Sequence, residues 1–215
     1  MVHNLSSTNS IFNTFIAEIR NIDIQKDPMR FRRNMERISE IMGYELSKSL
    51  NYTVKDVETP LGVAHVNQLT EQPVLATILR AGLSMHQGLL NYFDRAESAF
   101  VSAYRKHKNA EEFDIQIEYL ASPLLDKKTV IISDPMLATG NSMLMVYKAL
   151  LKQGKPARVI IVSAIATQEA LDMVRKHLPD NTEIWVGAID GELTAQSYIV
   201  PGLGDAGDLA YGVKC

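Results

Sequence analysis

Cysteine is almost absent: the 215 residues hold one, Cys215, and one tryptophan. A single thiol excludes a disulfide framework and makes a reducing, cytoplasmic setting the expectation. Cys215 also lacks the residues that follow the cysteine of a C-terminal lipidation box, so prenylation is not expected. Long apolar runs are missing, so no membrane-spanning helix and no membrane partner are expected. The first residues, MVHNLSSTNSIFNTFIAEIR, interrupt their apolar positions with Asn, Thr and Glu and lack the h-region of a signal peptide. Neither charge sign is in excess: 22 Lys and Arg against 25 Asp and Glu give a net charge of −3, which exerts no global pull toward nucleic acid. His3, His65, His86, His107 and His177 show no metal-ligand spacing, so surface or core roles are expected for them. With 46% hydrophobic and 22% charged residues, what remains is a globular composition, most economically one α/β domain over 1–215.

Two helices are expected within residues 1–50. Ile11, Phe12, Phe15, Ile16 and Ile19 recur at helical spacing behind Ser10, a ready N-cap. In DPMRFRRNMERISEIMGYELSKSL, Asp27 can cap and Pro28 suits the first helical position, while Met35, Ile38, Met42 and Leu46 form a stripe. Arg30, Arg32, Arg33 and Arg37 make this helix basic near its start. They read either as phosphate binders or, preferably, as a solvated face paired with Glu36 and Glu40. From 74 to 190 short apolar runs alternate with helical patterns: VLATIL (74–79), AFVSAYR (99–105), TVIIS (129–133), RVIIVSAI (158–165) and EIWVGAI (183–189). That alternation predicts a mostly parallel sheet flanked by helices. FDIQIEYL (113–120) alternates apolar and polar residues, the pattern of a half-exposed strand in a hairpin or arm.

Two stretches carry chemistry. In VPGLGDAG, Gly202, Gly204 and Gly207 spell G-x-G-x-x-G, the spacing of a dinucleotide-binding turn. That reading requires a following helix and a returning strand, and eight residues after Gly207 leave no room for them. In TVIISDPMLATGNSMLMVYKALL, a β-branched strand delivers Asp134, a loop of small and hydroxyl residues follows, and a helix opens near Ser142. Ala138, Thr139, Gly140, Asn141 and Ser142 supply N–H groups and hydroxyls at a helix N-terminus, the makings of a phosphate cradle. An acid at the head of the same loop would repel phosphate but accept hydrogen bonds from sugar hydroxyls, so acid followed by cradle points to a phosphorylated sugar. No Lys follows the glycine, which excludes a Walker A loop.

DPMLATGNS resembles the phosphoribosyl diphosphate (PRPP) signature of the uracil phosphoribosyltransferases, which typically read Asp-Pro-Met-Leu-Ala-Thr-Gly-Gly-Ser. ILRAGLSM (78–85), YR (104–105) and YIVPGLGDAGD (198–208) are similar to that family's other motifs, in the same order, so the resemblance runs from about residue 28 to the end. It implies a type I phosphoribosyltransferase fold with a β-arm and a C-terminal base-binding hood (191–215). It also implies the reaction uracil + PRPP → UMP + diphosphate, with Mg²⁺ carried by PRPP rather than by protein ligands, and a homodimer or higher homo-oligomer. Carried over residue by residue, Asp134, Pro135, Met136, Leu137, Ala138, Thr139, Gly140, Asn141 and Ser142 would hold the 5′-phosphate and ribose hydroxyls. Arg80 and Arg105 would hold the diphosphate; each is read as ending a strand, where a guanidinium can pair with phosphate oxygens. Ile199, Gly204, Asp205 and Ala206 would read uracil, with Asp205 also facing PRPP.

Uracil offers an N3–H between two carbonyls, which exposed backbone groups can match without side-chain charge, while glycines keep that backbone accessible. Fixed backbone groups should reject cytosine by leaving polar atoms unpaired. Asn141 stands where the family usually has glycine, and Leu209-Ala210-Tyr211 replaces a more usual basic or aromatic pair. Pro135 after Asp134 argues against purine and orotate relatives. The alternative from another class is a non-catalytic, pyrimidine- or PRPP-responsive regulator that binds RNA through the Arg30–Arg37 face. The apolar N-terminal helix is the expected oligomer contact, and 106–120 is a candidate arm over the substrate.

Overall fold

The computed structural model describes residues 1–107 and 113–214. The arm expected over 106–120 therefore falls partly outside the described residues, as does Cys215. The chain opens with β1 (Val2–Asn4), followed by α1 (Ile11–Arg20) and α2 (Pro28–Ser47). Both helices start as their sequences require. Ser10 Oγ accepts from the Phe12 N–H at 3.2 Å, and Asp27 Oδ1 accepts from the N–H groups of Met29 and Arg30 at 2.9 and 3.2 Å, each satisfying donors a helix start leaves free.

An exposed hairpin follows, β2 (Tyr52–Thr59) and β3 (Gly62–Leu69), paired antiparallel around Pro60 and Leu61. The sequence reading assigned nothing here. Then come β4 (Val74–Leu79), α3 (Leu83–Tyr92), β5 (Glu97–His107), β6 (Phe113–Ala121), β7 (Thr129–Ser133) and β8 (Met136–Leu137). The chain continues through α4 (Asn141–Leu150), β9 (Arg158–Thr167), α5 (Gln168–His177) and β10 (Glu183–Asp190). It closes with β11 (Glu192–Leu193), β12 (Ile199–Val200) and α6 (Ala206–Tyr211).

The main sheet has eight strands in the order β1-β10-β9-β7-β4-β5-β6, with β8 paired to β9. Every pairing is parallel except β5 with β6, so the mostly parallel α/β sheet is as read. Alternation along the strands serves two faces. Leu75, Ile131, Ile160 and Val162 point toward α1, α2 and α3 with Phe12, Phe31, Met35, Ile38 and Leu89. Val74, Ala76, Val130, Ile132, Val159 and Ile161 point the other way, onto Met143, Val146 and Leu150 of α4 and Leu171 and Val174 of α5. Side chains alternate across a strand, so a near-continuous apolar run is what burial on both faces demands.

Of the apolar residues of α1, the helix expected as an oligomer contact, Phe12, Ile16 and Ile19 are buried within the chain, Phe15 is half-buried and Ile11 is exposed. The basic face of α2 also finds partners at home. Arg30 pairs with Glu18 at 2.8 Å, Arg33 with Glu36 at 2.6 Å, and Arg32 donates to the Ala210 carbonyl at 2.6 Å. Arg37 lies over the Phe15 ring. The Arg33 pairing is the solvated-face reading; Glu18 and Ala210 are partners that local spacing does not reveal.

Candidate active site

Chain order places a crevice at the carboxyl ends of β4 and β7. After β4 the chain moves outward to β5 through α3 on one face, and after β7 outward to β9 through α4 on the other. Such a switch point is where open α/β sheets bind ligands. The two strands are parallel neighbours, Thr77 against Ser133, and Ser133 Oγ donates to the Ala76 carbonyl at 3.3 Å. The loops at Arg80 and Asp134 consequently leave the sheet side by side.

The Asp134 loop is tied down along β9 rather than free from end to end. Asp134 N–H donates to Val162 O at 3.1 Å, Ile165 N–H donates to Pro135 O at 3.0 Å, and Met136 and Leu137 form β8 against Ile165 and Ala166. Thr167 Oγ1 donates to Ala138 O at 2.6 Å while accepting from the Ala170 N–H at 3.0 Å. The expected loop is thus half strand, and the free cradle narrows to Ala138 through Ser142.

Gly140 has φ +80° and caps α4 without a side-chain hydrogen bond. A Cβ there would sit 3.2 Å from Ala170 O and 3.1 Å from Met173 Cγ, a tight fit against α5, and the left-handed backbone itself favours glycine. Gly140 supplies no side chain to accept from the first turn of α4, which carries the positive end of the helix dipole, a position that suits an anion. Asn141, in place of the family's glycine, begins the helix, and its N–H donates to Thr139 Oγ1 at 3.3 Å.

Asp134 is partly buried, and loss of water raises its pKa from 3.8 to about 7, opposed only by the Met136 N–H at 3.4 Å. A carboxyl shifted this far by burial at the ligand-binding edge of a sheet marks a candidate functional group.

Arg80 directly follows β4. Its Nη2 donates to Asp208 Oδ1 and to Gly212 O, both at 3.1 Å, while its Nε is buried without a partner among the described residues. Gly82 has to be glycine: a Cβ would lie 2.1 Å from Thr77 Oγ1 and 2.7 Å from Ile78 O. Arg105 does not end its strand as expected. β5 runs on to His107 in a ribbon with β6, with Arg105 opposite Ile115 beyond a register shift at Ser102 and Ala103. Because β5 is parallel to β4, with Ser102 beside Leu79, Arg105 still lies past the same edge of the sheet as Arg80.

The C-terminal segment folds over as β11 and β12, then a glycine turn, then α6. Gly202 (φ +54°) and Gly204 (φ +92°) adopt the left-handed backbone, and a Cβ on Gly202 would meet Ile199 O at 2.1 Å. Gly204 is exposed, whereas Ile199 and Ala206 turn their side chains into the core. Asp205 Oδ1 caps α6 by accepting from the Asp208 N–H at 3.0 Å.

Two residues that sequence reasoning did not select anchor this segment. Asp190 ends β10 and pairs bidentately with Arg20 at 2.8 Å on both oxygens. It also accepts from the Gly202 N–H at 2.9 Å, while Arg20 donates to Gly202 O at 3.0 Å. The signal available was the one used for Asp134, an acid at the carboxyl end of an apolar strand.

A parallel sheet with an acid-headed cradle at its switch point, an arginine on the neighbouring loop and a C-terminal hood define a type I phosphoribosyltransferase. A hypoxanthine phosphoribosyltransferase structure from Staphylococcus aureus shares the fold, with a TM-score of 0.51 at 18% identity over 75% of this chain and 76% of that one. The Aquifex aeolicus AQ2163 protein structure aligns with a TM-score of 0.87 at 32% identity, covering 99% of both chains. A Porphyromonas gingivalis uracil phosphoribosyltransferase is 56% identical over 213 residues, 99% of each chain. One from Methanococcus vannielii is 36% identical over 214 residues, 98% of this chain and 90% of the relative. The uracil phosphoribosyltransferase family model matches residues 6–213. The chain belongs to the uracil phosphoribosyltransferase family.

Proposed function

We propose that this chain transfers the phosphoribosyl group of PRPP to uracil, releasing diphosphate and UMP, a pyrimidine salvage reaction. The observation that carries the reading is the juxtaposition of the uncapped α4 N-terminus, Asp134 and Arg80 at one switch point, next to a glycine turn with exposed backbone, in a chain of this family. In this reading the N–H groups and hydroxyls of Ala138 to Ser142 receive the 5′-phosphate. Asp134, with Pro135, Met136 and Leu137 setting its loop, receives the ribose hydroxyls. Arg80 and Arg105 receive the diphosphate, and Ile199, Gly204, Asp205 and Ala206 present backbone groups to uracil.

Bond formation from the base nitrogen to the anomeric carbon as the diphosphate oxygen departs needs positioning and charge stabilisation above all. In this reading Mg²⁺ enters on the oxygens of PRPP, the hard oxygen ligands that it prefers. When bound, Mg²⁺ supplies positive charge to the leaving diphosphate. Arg80 adds a fixed donor set to the same group, and the hood keeps water from the anomeric carbon.

We read the enzyme as cytoplasmic, a reading that the single cysteine supports; no helix among the described residues is long and apolar enough to cross a membrane. For a homo-oligomer the face to use is the β2–β3 hairpin, where Val54, Leu61, Val63 and Val66 are exposed. A two-stranded ribbon is marginal on its own in water, and a second copy of this chain is the occupant that would cover it. Diphosphate release with uracil, cytosine, hypoxanthine and orotate at saturating PRPP and Mg²⁺ tests the reaction. Turnover with uracil alone is expected; turnover with another base, or PRPP binding without turnover, would refute it.

A further inference from the structure

Helix α6 has six residues, too few to persist without tertiary fastening. It is fastened at several points. Tyr211 Oη and Ser84 Oγ share a hydrogen bond of 2.8 Å, Arg32 holds the Ala210 carbonyl, and Asp205 caps the first turn. The remaining fastening differs in kind, because its donor is Arg80. Asp208 Oδ1 and Gly212 O both accept from one nitrogen, Nη2. Two acceptors on one corner of a planar guanidinium fix its position, and a flexible side chain loses most of its rotamer freedom. The Nε of the same group is buried and has no partner among the described residues, an arrangement that is costly unless something arrives to accept from it.

We propose that Asp208 is a positioning residue for Arg80, holding Nη2 so that the Nε edge stands ready for the diphosphate of PRPP. This rests on the reading of Arg80 as a diphosphate ligand. Asp208 lies on the helix whose cap, Asp205, belongs to the base-reading turn, so that turn and the diphosphate arginine are two ends of one small rigid piece. Asp208 takes Nη2 and leaves Nε without an acceptor among the described residues.

The test uses Arg80→Ala, Asp208→Ala, Asp208→Asn and Tyr211→Phe, with PRPP affinity by calorimetry and KM for both substrates. Arg80→Ala is expected to weaken PRPP about a hundredfold, and Asp208→Ala about tenfold with uracil KM little changed. Asp208→Asn, whose Oδ1 still accepts, should stay within about threefold of the parent. Tyr211→Phe removes an α6 fastening without touching Arg80 and should leave PRPP affinity unchanged, which separates positioning from general docking of the helix. In the Arg80→Ala background, adding Asp208→Ala should change nothing further. If Arg80→Ala weakens PRPP while a folded Asp208→Ala does not, or tightens it, the positioning role is wrong. It is equally wrong if the Asp208 effect persists without Arg80. If Arg80→Ala itself leaves PRPP binding intact, the diphosphate reading fails and takes the positioning role with it.

Discussion

Replacing Asp134 with Asn should stabilise the free protein and disable it at once, and the size of the first effect should depend on pH in a set direction. The carboxyl titrates near 3.8 in an unfolded chain and at about 7 in the fold, so between those values the native state holds the extra proton. A folded-state pKa that is raised means stability is greatest below the unfolded value and declines as pH rises through the folded one. From about pH 5.5 to about pH 8.5 the native state gives up this proton over roughly 1.5 pH units, at about 1.4 kcal/mol each. The stability of Asp134→Asn relative to the parent should therefore climb by about 2 kcal/mol across that range.

Urea unfolding of both proteins at several pH values, without ligands, reads this difference directly, since groups common to the two cancel. A flat or falling difference would refute the account of Asp134 as a desolvated carboxyl. Activity should run the other way. If the ionised form accepts the sugar hydroxyls, kcat/KM for PRPP should rise about tenfold per pH unit below about 7 and then level, and Asp134→Asn should lack that limb.

Other perturbations follow from packing. Asp190→Ala leaves the Arg20 guanidinium without its bidentate partner and frees Gly202 N–H. A loss of about 2–3 kcal/mol is expected, with uracil KM raised more than PRPP KM; equal effects on both would argue against a hood anchor. Gly88→Ala would put a Cβ 2.1 Å from Ser39 Oγ and 2.3 Å from Glu36 O. Parting α2 from α3 should cost about 3 kcal/mol, and an unchanged melting temperature would show the interface to be softer than this. Leu61→Ser with Val63→Ser, on exposed hairpin positions, should lower the mass seen by sedimentation; an unaltered mass would remove the hairpin from any oligomer contact.

What was legible in the sequence was what local chemistry specifies. Ser10, Asp27 and Pro28 mark helix starts because caps act within three residues. The strands at 74, 129, 158 and 183 were readable because burial on two faces leaves almost nothing polar in them. The β2–β3 hairpin escaped because its strands are exposed on both faces, so no burial pattern separates them from loop, although Thr59-Pro60-Leu61-Gly62 carries turn chemistry. β8 escaped because Met136 and Leu137 become a strand only through β9, which comes later in the chain. The acid and cradle of 134–142 could be read because one loop carries both. The Arg20–Asp190 pair joins residues separated by 170 positions, and the Arg80–Asp208 pair residues separated by 128. Spacing along a chain gives no hint of either.

The three-residue strand β1 has a consequence for how the molecule is made. Val2, His3 and Asn4 pair with Ile184, Trp185 and Val186, and the His3 ring stacks on Trp185 at 3.9 Å. Val2, His3 and Asn4 thus wait for a partner that is synthesised far later in the chain. Until β1 docks, the β10 edge presents unpaired backbone groups beside an apolar strand, a template for joining a neighbouring chain. The short strand acts as a selvedge, and replacing Val2–Asn4 with residues that cannot pair should show up as lost soluble yield before any loss of specific activity.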